Sequence, residues 1–188
     1  NGKGVDQDYT LEVEEGATIL DALVQIREDQ DPTLAFRGSC RTGFCGDCTM
    51  NVNGKGAICC RVKVDQASKK AEDGTITVAP LKLINIAKDL IYDADNFHWD
   101  KFKAVEPWIE PVEPPAEGEY IVDNKSIEEL RVAMSCTQCG LCDQGCVVID
   151  VDRTYLGPAA LTKAYRVVYD PRDSREKERL EKLSLKRG

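Results

Sequence analysis

The chain has 188 residues, 33 of them acidic and 25 basic, for a net charge of −8. That balance excludes a nucleic-acid binder, because phosphate recognition needs Lys and Arg in excess. The length holds one large domain or two small ones, and two small ones would each have a thin core in want of a second source of stability.

Residues 9–13, YTLEV, alternate: Tyr9, Leu11 and Val13 on one side, Thr10 and Glu12 on the other. The period predicts a half-buried strand. EEGATILDALVQIRED then changes period. Ile19, Leu20, Leu23 and Val24 share a helical face, and Thr18 with Asp21 has the spacing of a capping box. MNVNGKGAICC predicts a hairpin turning at Asn53-Gly54, a pair that accepts positive φ at both central positions. TITVAPL, 75–81, predicts a short strand stopped by Pro80. LKLINIAKDLIYDA predicts a helix with Leu83, Ile86, Ala87 and Leu90 on one face. These elements make a compact α+β unit over residues 1–92.

Residues 93–125 connect it to a second unit. Their segment EPWIEPVEPPAEGE is rich in proline and glutamate, and proline removes donors and favours extended chain. Trp108 and Ile109 are expected to pin it to a surface as an ordered strap. The second unit, 126–188, is predicted helical. SIEEL has a Ser-x-x-Glu capping box at Ser126, leading into Leu130, Val132, Ala133 and Met134. YLGPAALTKAYRVVYDP predicts a helix with Pro158 in its first turn and Pro171 at its end. The rest is a charged helix or frayed tail anchored by Leu180 and Leu183.

No run reaches the roughly 18 apolar residues that cross a bilayer. Residues 1–20 lack the basic start and apolar stretch of a secretory signal. The chain starts at Asn1 rather than Met, as a processed or trimmed N-terminus does. Nine cysteines fall in two clusters, at 40–60 and 136–146. An odd, clustered set without a secretion signal reads as metal ligands in a reducing compartment rather than a disulfide framework.

Cys40, Cys45 and Cys48 follow C-x4-C-x2-C, with Cys59 and Cys60 later. This is the plant-type 2Fe–2S spacing. Two irons need four thiolates, so a loop must bend around them. Gly43 and Gly46 permit the backbone angles that aim amide N–H groups at the sulfurs. Zinc prefers paired C-x2-C knuckles, which a gap of four suits less. Spacing alone does not choose between Cys59 and Cys60. The one left over is a buried, inert cysteine.

Cys136, Cys139, Cys142 and Cys146 follow C-x2-C-x2-C-x3-C, the bacterial-ferredoxin run for a 4Fe–4S cubane, with Gly140 and Gly145 keeping the loop slim. In that run the fourth cysteine often serves a second cluster. No cysteine follows Cys146. Either Cys146 closes a single cubane, or the missing ligands lie on residues this chain lacks.

With these motifs, ITVAPL…IAKDLIYD…NFHWDKF…PWI and YLGPAALTKAYRVVYDPRD, residues 9 to about 172 resemble the iron–sulfur subunit of succinate dehydrogenase and fumarate reductase. The resemblance implies an N-terminal β-grasp plant-type ferredoxin domain and a C-terminal helical domain like bacterial ferredoxins. It implies Cys40, Cys45, Cys48 and Cys60 as the 2Fe–2S ligands, since the family's fourth ligand sits twelve residues after its third. It assigns Cys136, Cys139 and Cys142 to a 4Fe–4S cluster, and Cys146 to a 3Fe–4S cluster completed by downstream cysteines. A truncated chain, or a separate chain supplying those cysteines, accounts for their absence. The implied function is relay of single electrons between a FAD-bearing flavoprotein subunit and a membrane anchor with quinone. The implied location is peripheral, on the cytoplasmic face of a plasma membrane or the matrix face of the mitochondrial inner membrane.

Where the family has Pro after its fourth cysteine and Trp soon after, this chain reads VVIDV, 147–151, which sets direct quinone contact there in question. That departure favours an alternative, a related complex linked to thiols or heterodisulfides. The other alternative is a zinc-stabilised interaction module. The lone His98 and the aromatics Trp99, Phe102 and Trp108 read as packing residues, and Arg41 and Arg61 as flanking charges beside ligands. No catalytic triad, nucleotide glycine fingerprint or P-loop occurs, so no substrate site is expected on the chain itself.

Overall fold

The computed structural model describes residues 4–71, 73–82, 85–93, 95 and 99–185. The chain divides into two compact units, Asn1–Leu81 with Ile86–Tyr92, and Lys82–Asn85 with Asp93–Gly188. Leu83 and His98, singled out above, lie outside the described residues.

In the first unit, α1 spans Ile19–Asp29 and begins as expected. The Thr18 side chain accepts from the Asp21 amide, and the Asp21 carboxylate accepts from the Thr18 amide. Ile19, Leu20, Leu23 and Ile26 are its buried face, while Val24 is half-buried. The hairpin β1 (Thr49–Val52) and β2 (Lys55–Ile58) turns at Asn53 (φ 49°) and Gly54 (φ 77°). Its register pairs Thr49 with Ile58 and Val52 with Lys55. Strand β3, only Val78–Ala79, adds to the other edge of β1. Every residue of β1 is therefore buried, Thr49 and Asn51 included. Their polar groups are satisfied: Thr49 Oγ1 donates to the Gly46 carbonyl and Asn51 Nδ2 to that of Pro80. A 3₁₀ turn, Cys59–Arg61, and the short helix α2, Val64–Ser68, complete this stretch.

Two expectations fail here. Residues 9–13 keep the predicted alternation, with Tyr9, Leu11 and Val13 half-buried, but form no ladder among the described residues. Side chains at and beyond the centre of α1 take their carbonyls instead: Gln25 Nε2 donates to Glu12 and Gln30 Nε2 to Thr10. The helix predicted after residue 81 is a hairpin, β4 (Ile86–Lys88) and β5 (Ile91–Tyr92). Long-range bonds override its helical period. Asp89 turns the chain at φ 46°, its carboxylate accepts the Ala35 amide, and the Leu90 amide donates to the Ala35 carbonyl.

The second unit is helical: α3 (Asp100–Ala104), α4 (Asn124–Met134), α5 (Leu141–Gln144), α6 (Val147–Val151), α7 (Gly157–Val168) and α8 (Glu176–Leu185). Helix α7 is its hub, packing against α3, α4, α5 and α8. Ala159, Ala160 and Ala164 let neighbours approach closely, with Phe102, Val105 and Leu156 filling the core around them. Helix α4 starts earlier than its Ser-x-x-Glu signal. Asp123 is the N-cap and accepts the Ser126 amide, which displaces the capping box. Leu130 and Ala133 are buried, whereas Val132 and Met134 face outward.

The strap is ordered, but not by its tryptophan. Trp108 is 51 % exposed. The anchor is Arg179 of α8, 3 % exposed. It grips Asp173 with two bonds of 2.9 Å and donates to the carbonyls of Glu106 (2.7 Å) and Trp108 (2.8 Å). The Glu110 amide adds a bond to Asp173, and the Val112 amide one to the Arg172 carbonyl. Leu183 reaches the core as expected, while Leu180 remains exposed.

Candidate metal centre

The first cysteine loop lies between α1 and β1 and returns at the end of β2. Its backbone is bent by three consecutive departures into positive φ: Arg41 (56°), Gly43 (78°) and Gly46 (72°). The bends turn amides inward. Cys40 Sγ accepts the Thr42 (3.4 Å) and Cys45 (3.3 Å) amides. Cys45 Sγ accepts the Asp47 amide at 3.4 Å, and Cys48 Sγ the Cys60 amide at 3.4 Å. Cys60 Sγ accepts the Gly43 amide at 3.1 Å. Each of the four sulfurs named in the sequence thus receives at least one backbone N–H.

Cys59 differs. It is fully buried, and burial pushes its thiol up to about 12. Its backbone amide serves the sheet, donating to the Cys48 carbonyl. Cys40 and Cys48 are shifted in opposite directions. Hydrogen bonds from Thr42 and the Cys45 amide pull the Cys40 thiol down to about 5. Burial pushes Cys48 up to about 11. Gly43 has no room for a side chain: a Cβ there would lie 2.1 Å from Arg61 Cδ. Arg61 therefore lies across the loop backbone beside Cys60. Phe44, 79 % exposed, projects from the loop's outer side.

The second loop hangs between α4 and α7. Helix α4 ends at Met134 and hands the chain directly to Cys136, whose amide donates to the Ala133 carbonyl. Gln138 (φ 62°) and Gly140 (φ 79°) turn the loop into α5, which carries Cys142. Cys146 is the N-cap of α6. The Cys142 thiol is pushed up to about 11, by desolvation first and then by the Asp143 carboxylate and the Cys139 and Cys136 sulfurs nearby. Gly140 uses its freedom at positive φ. Gly145 does not, since it has ordinary helical angles and space for a Cβ.

Helix α7 pegs this loop at two points that the motif did not reveal. Asp143 is buried, and its Oδ1 accepts the Ala159 amide in the first turn of α7. Gly157 makes room for that contact. A Cβ there would lie 2.6 Å from Ile149 Cδ1 and 2.9 Å from Asp143 Oδ1. One turn further, buried Lys163 donates to the Cys136 carbonyl at 3.1 Å. The available signal was a lysine on the apolar face of a helix, in step with Ala159, Ala160 and Val167.

The donor sets suit polynuclear iron. Thiolates are the ligands of iron–sulfur clusters, and amide N–H groups aimed at sulfur are the usual means of tuning them. Among the described residues, no three His, Cys, Asp or Glu side chains gather closely enough for a single ion. A 2Fe–2S rhomb spreads its four sulfurs over two irons and does not need that convergence.

Residues 1–99 match the family described as the 2Fe-2S iron-sulfur cluster binding domain. The chain is 37 % identical over 182 residues to the mitochondrial succinate dehydrogenase (ubiquinone) iron–sulfur subunit 1 of Oryza sativa subsp. japonica, covering 95 % of this chain and 63 % of that protein. It is 36 % identical over 179 residues to the corresponding mitochondrial subunit of Candida glabrata, covering 92 % and 68 %. The Dictyostelium discoideum subunit is 37 % identical over 186 residues, with 95 % and 63 % covered. The chain therefore spans about two thirds of the length of these relatives. Among solved structures, a chain of the Mycobacterium smegmatis Sdh1 complex in the apo form superposes with a TM-score of 0.79 at 26 % identity, covering 95 % of this chain and 75 % of that one.

Proposed function

The chain belongs to the family of succinate dehydrogenase iron–sulfur subunits, and we propose that it relays single electrons within a succinate:quinone oxidoreductase or fumarate reductase. Its partners in this reading are a FAD-containing flavoprotein subunit and a membrane anchor with quinone. Among the described residues no helix is long and apolar enough to cross a membrane, so attachment through the anchor is the matching arrangement. The membrane face is cytoplasmic, or matrix in a mitochondrion.

In this reading residues 1–92 are a β-grasp plant-type ferredoxin domain, 93–125 a strap, and 126–188 a helical domain of bacterial-ferredoxin type. Cys40, Cys45, Cys48 and Cys60 hold a 2Fe–2S cluster. Cys136, Cys139 and Cys142 hold a 4Fe–4S cluster. Cys146 either completes that cubane or belongs to a 3Fe–4S cluster, whose other ligands come from residues outside this sequence or from another chain. When bound, such clusters supply one-electron steps at potentials set by their surroundings. The protein's own residues fix thiolate positions, exclude water and direct amide dipoles at sulfur.

The observation that carries this reading is the pattern of amide donors: all four sulfurs of the first set receive backbone N–H bonds, and Cys59 beside them serves the core. The test is metal and acid-labile sulfide analysis of the purified complex, with electron-spin-resonance spectra of its reduced form. Iron with sulfide, and separate signals from two kinds of cluster, is the expected result. A colourless preparation holding zinc in place of iron would reject electron transfer.

A further inference from the structure

We propose that Lys163 is the built-in counter-ion of the second cysteine loop and raises the reduction potential of the cubane held there; the inference rests on the 4Fe–4S reading above. Lys163 is 6 % exposed on the apolar face of α7. An ammonium out of water is costly unless paired and hydrogen-bonded. Its recorded bond is to the Cys136 carbonyl at 3.1 Å, and among the described residues it makes no ion pair with a carboxylate. One carbonyl takes one of three N–H donors and supplies no full charge. Asp143, on the same side of the unit, gives Oδ1 to the Ala159 amide.

The missing negative charge has a natural source. A cubane with thiolate ligands is net anionic, and Lys163 is bonded to the backbone of its first ligand residue. Reduction adds one more negative charge to that group, so a fixed cation beside it favours the reduced form. At an effective dielectric of ~20, a unit charge on the order of 10 Å away shifts such an equilibrium by about tenfold. A lysine that only braced the loop would act through its hydrogen bond and would leave this equilibrium unmoved once the bond was replaced.

The experiment compares wild-type chain with Lys163→Gln, Lys163→Met and Lys163→Arg in the purified complex. Iron and sulfide are quantified, and the cubane is titrated potentiometrically by electron spin resonance. Gln keeps a donor for the Cys136 carbonyl without the charge. Gln and Met are each expected to lower the reduced-to-oxidised ratio at fixed poise about tenfold, which is 59 mV for one electron, with Arg near wild type. A wild-type midpoint in Lys163→Gln overturns the proposal while leaving the cluster reading intact. Absence of any cubane signal in the wild type overturns both. Should Gln and Met lose the cubane, retention with a wild-type midpoint in Arg supports the charge role, and loss in all three variants refutes it.

Discussion

The Gly43 amide and Cys60 Sγ meet at 3.1 Å across 17 positions of sequence, while Cys59, one residue earlier, turns its sulfur into the core. Cys59 and Cys60 are consecutive residues of the 3₁₀ turn that follows β2, where neighbouring side chains diverge by about 120°, so the two sulfurs face different surroundings. This predicts a sharp split. Cys60→Ala should abolish the visible absorbance of the 2Fe–2S centre. Cys59→Ala should retain it and lose about 1 kcal/mol of stability through the small cavity left behind. Absorbance per chain and thermal unfolding of the two variants check this.

Gly43 is held at φ 78° with Arg61 lying over it. Gly43→Ala must pay for the left-handed backbone and displace the Arg61 side chain. The loop is expected to lose about 1–3 kcal/mol, and with it the aim of the amide at Cys60. Lower 2Fe–2S content per chain is the readout. Adding Arg61→Ala removes the steric part and should restore part of that content.

Gly157 plays the matching role in the second unit, at φ 86°. Its would-be Cβ meets Ile149, which is fully buried, and the Asp143 carboxylate, so neither neighbour can yield freely. Gly157→Ala is expected to destabilise this unit by roughly 2–4 kcal/mol. Denaturant unfolding measures the loss. Iron per chain should fall at the cubane before it falls at the 2Fe–2S centre.

Arg179 and Asp173 form a buried pair that ties the strap to α8. Desolvation pushes the Asp173 carboxyl up, but Arg179 and the amides of Glu110 and Arg175 more than offset this and hold it below the ordinary range. A depressed carboxyl stabilises the fold above its unfolded value, near ~3.9, and that contribution is lost as pH falls through the lower folded value. Protection of the strap amides against hydrogen exchange should therefore be constant above about pH 5 and weaken below about pH 4. Arg179→Met leaves Asp173 buried without its cation and should cost about 3–5 kcal/mol, with the strap opening first.

Several features were legible from residues alone because their causes are local. The Asn53-Gly54 turn follows from two residues that tolerate positive φ. The start of α1 follows from Thr18 and Asp21 three positions apart. Helix α7 follows from its apolar period and Pro158. The thiolate spacings report the chemistry of the cofactor itself, which no packing alters. Tertiary structure decided what depends on partners distant in the chain. Residues 86–92 have a helical period but form a hairpin, because the Asp89 carboxylate accepts the Ala35 amide, 54 positions away, and the Leu90 amide donates to the Ala35 carbonyl. Which of Cys59 and Cys60 meets the Gly43 amide depends on how the 3₁₀ turn after β2 aims the two side chains. The burial of Arg179 and Lys163 depends on carbonyls of Trp108 and Cys136, 71 and 27 positions away. A long basic side chain reads as solvent-facing until the fold surrounds it with acceptors, and that enclosure exists only in three dimensions.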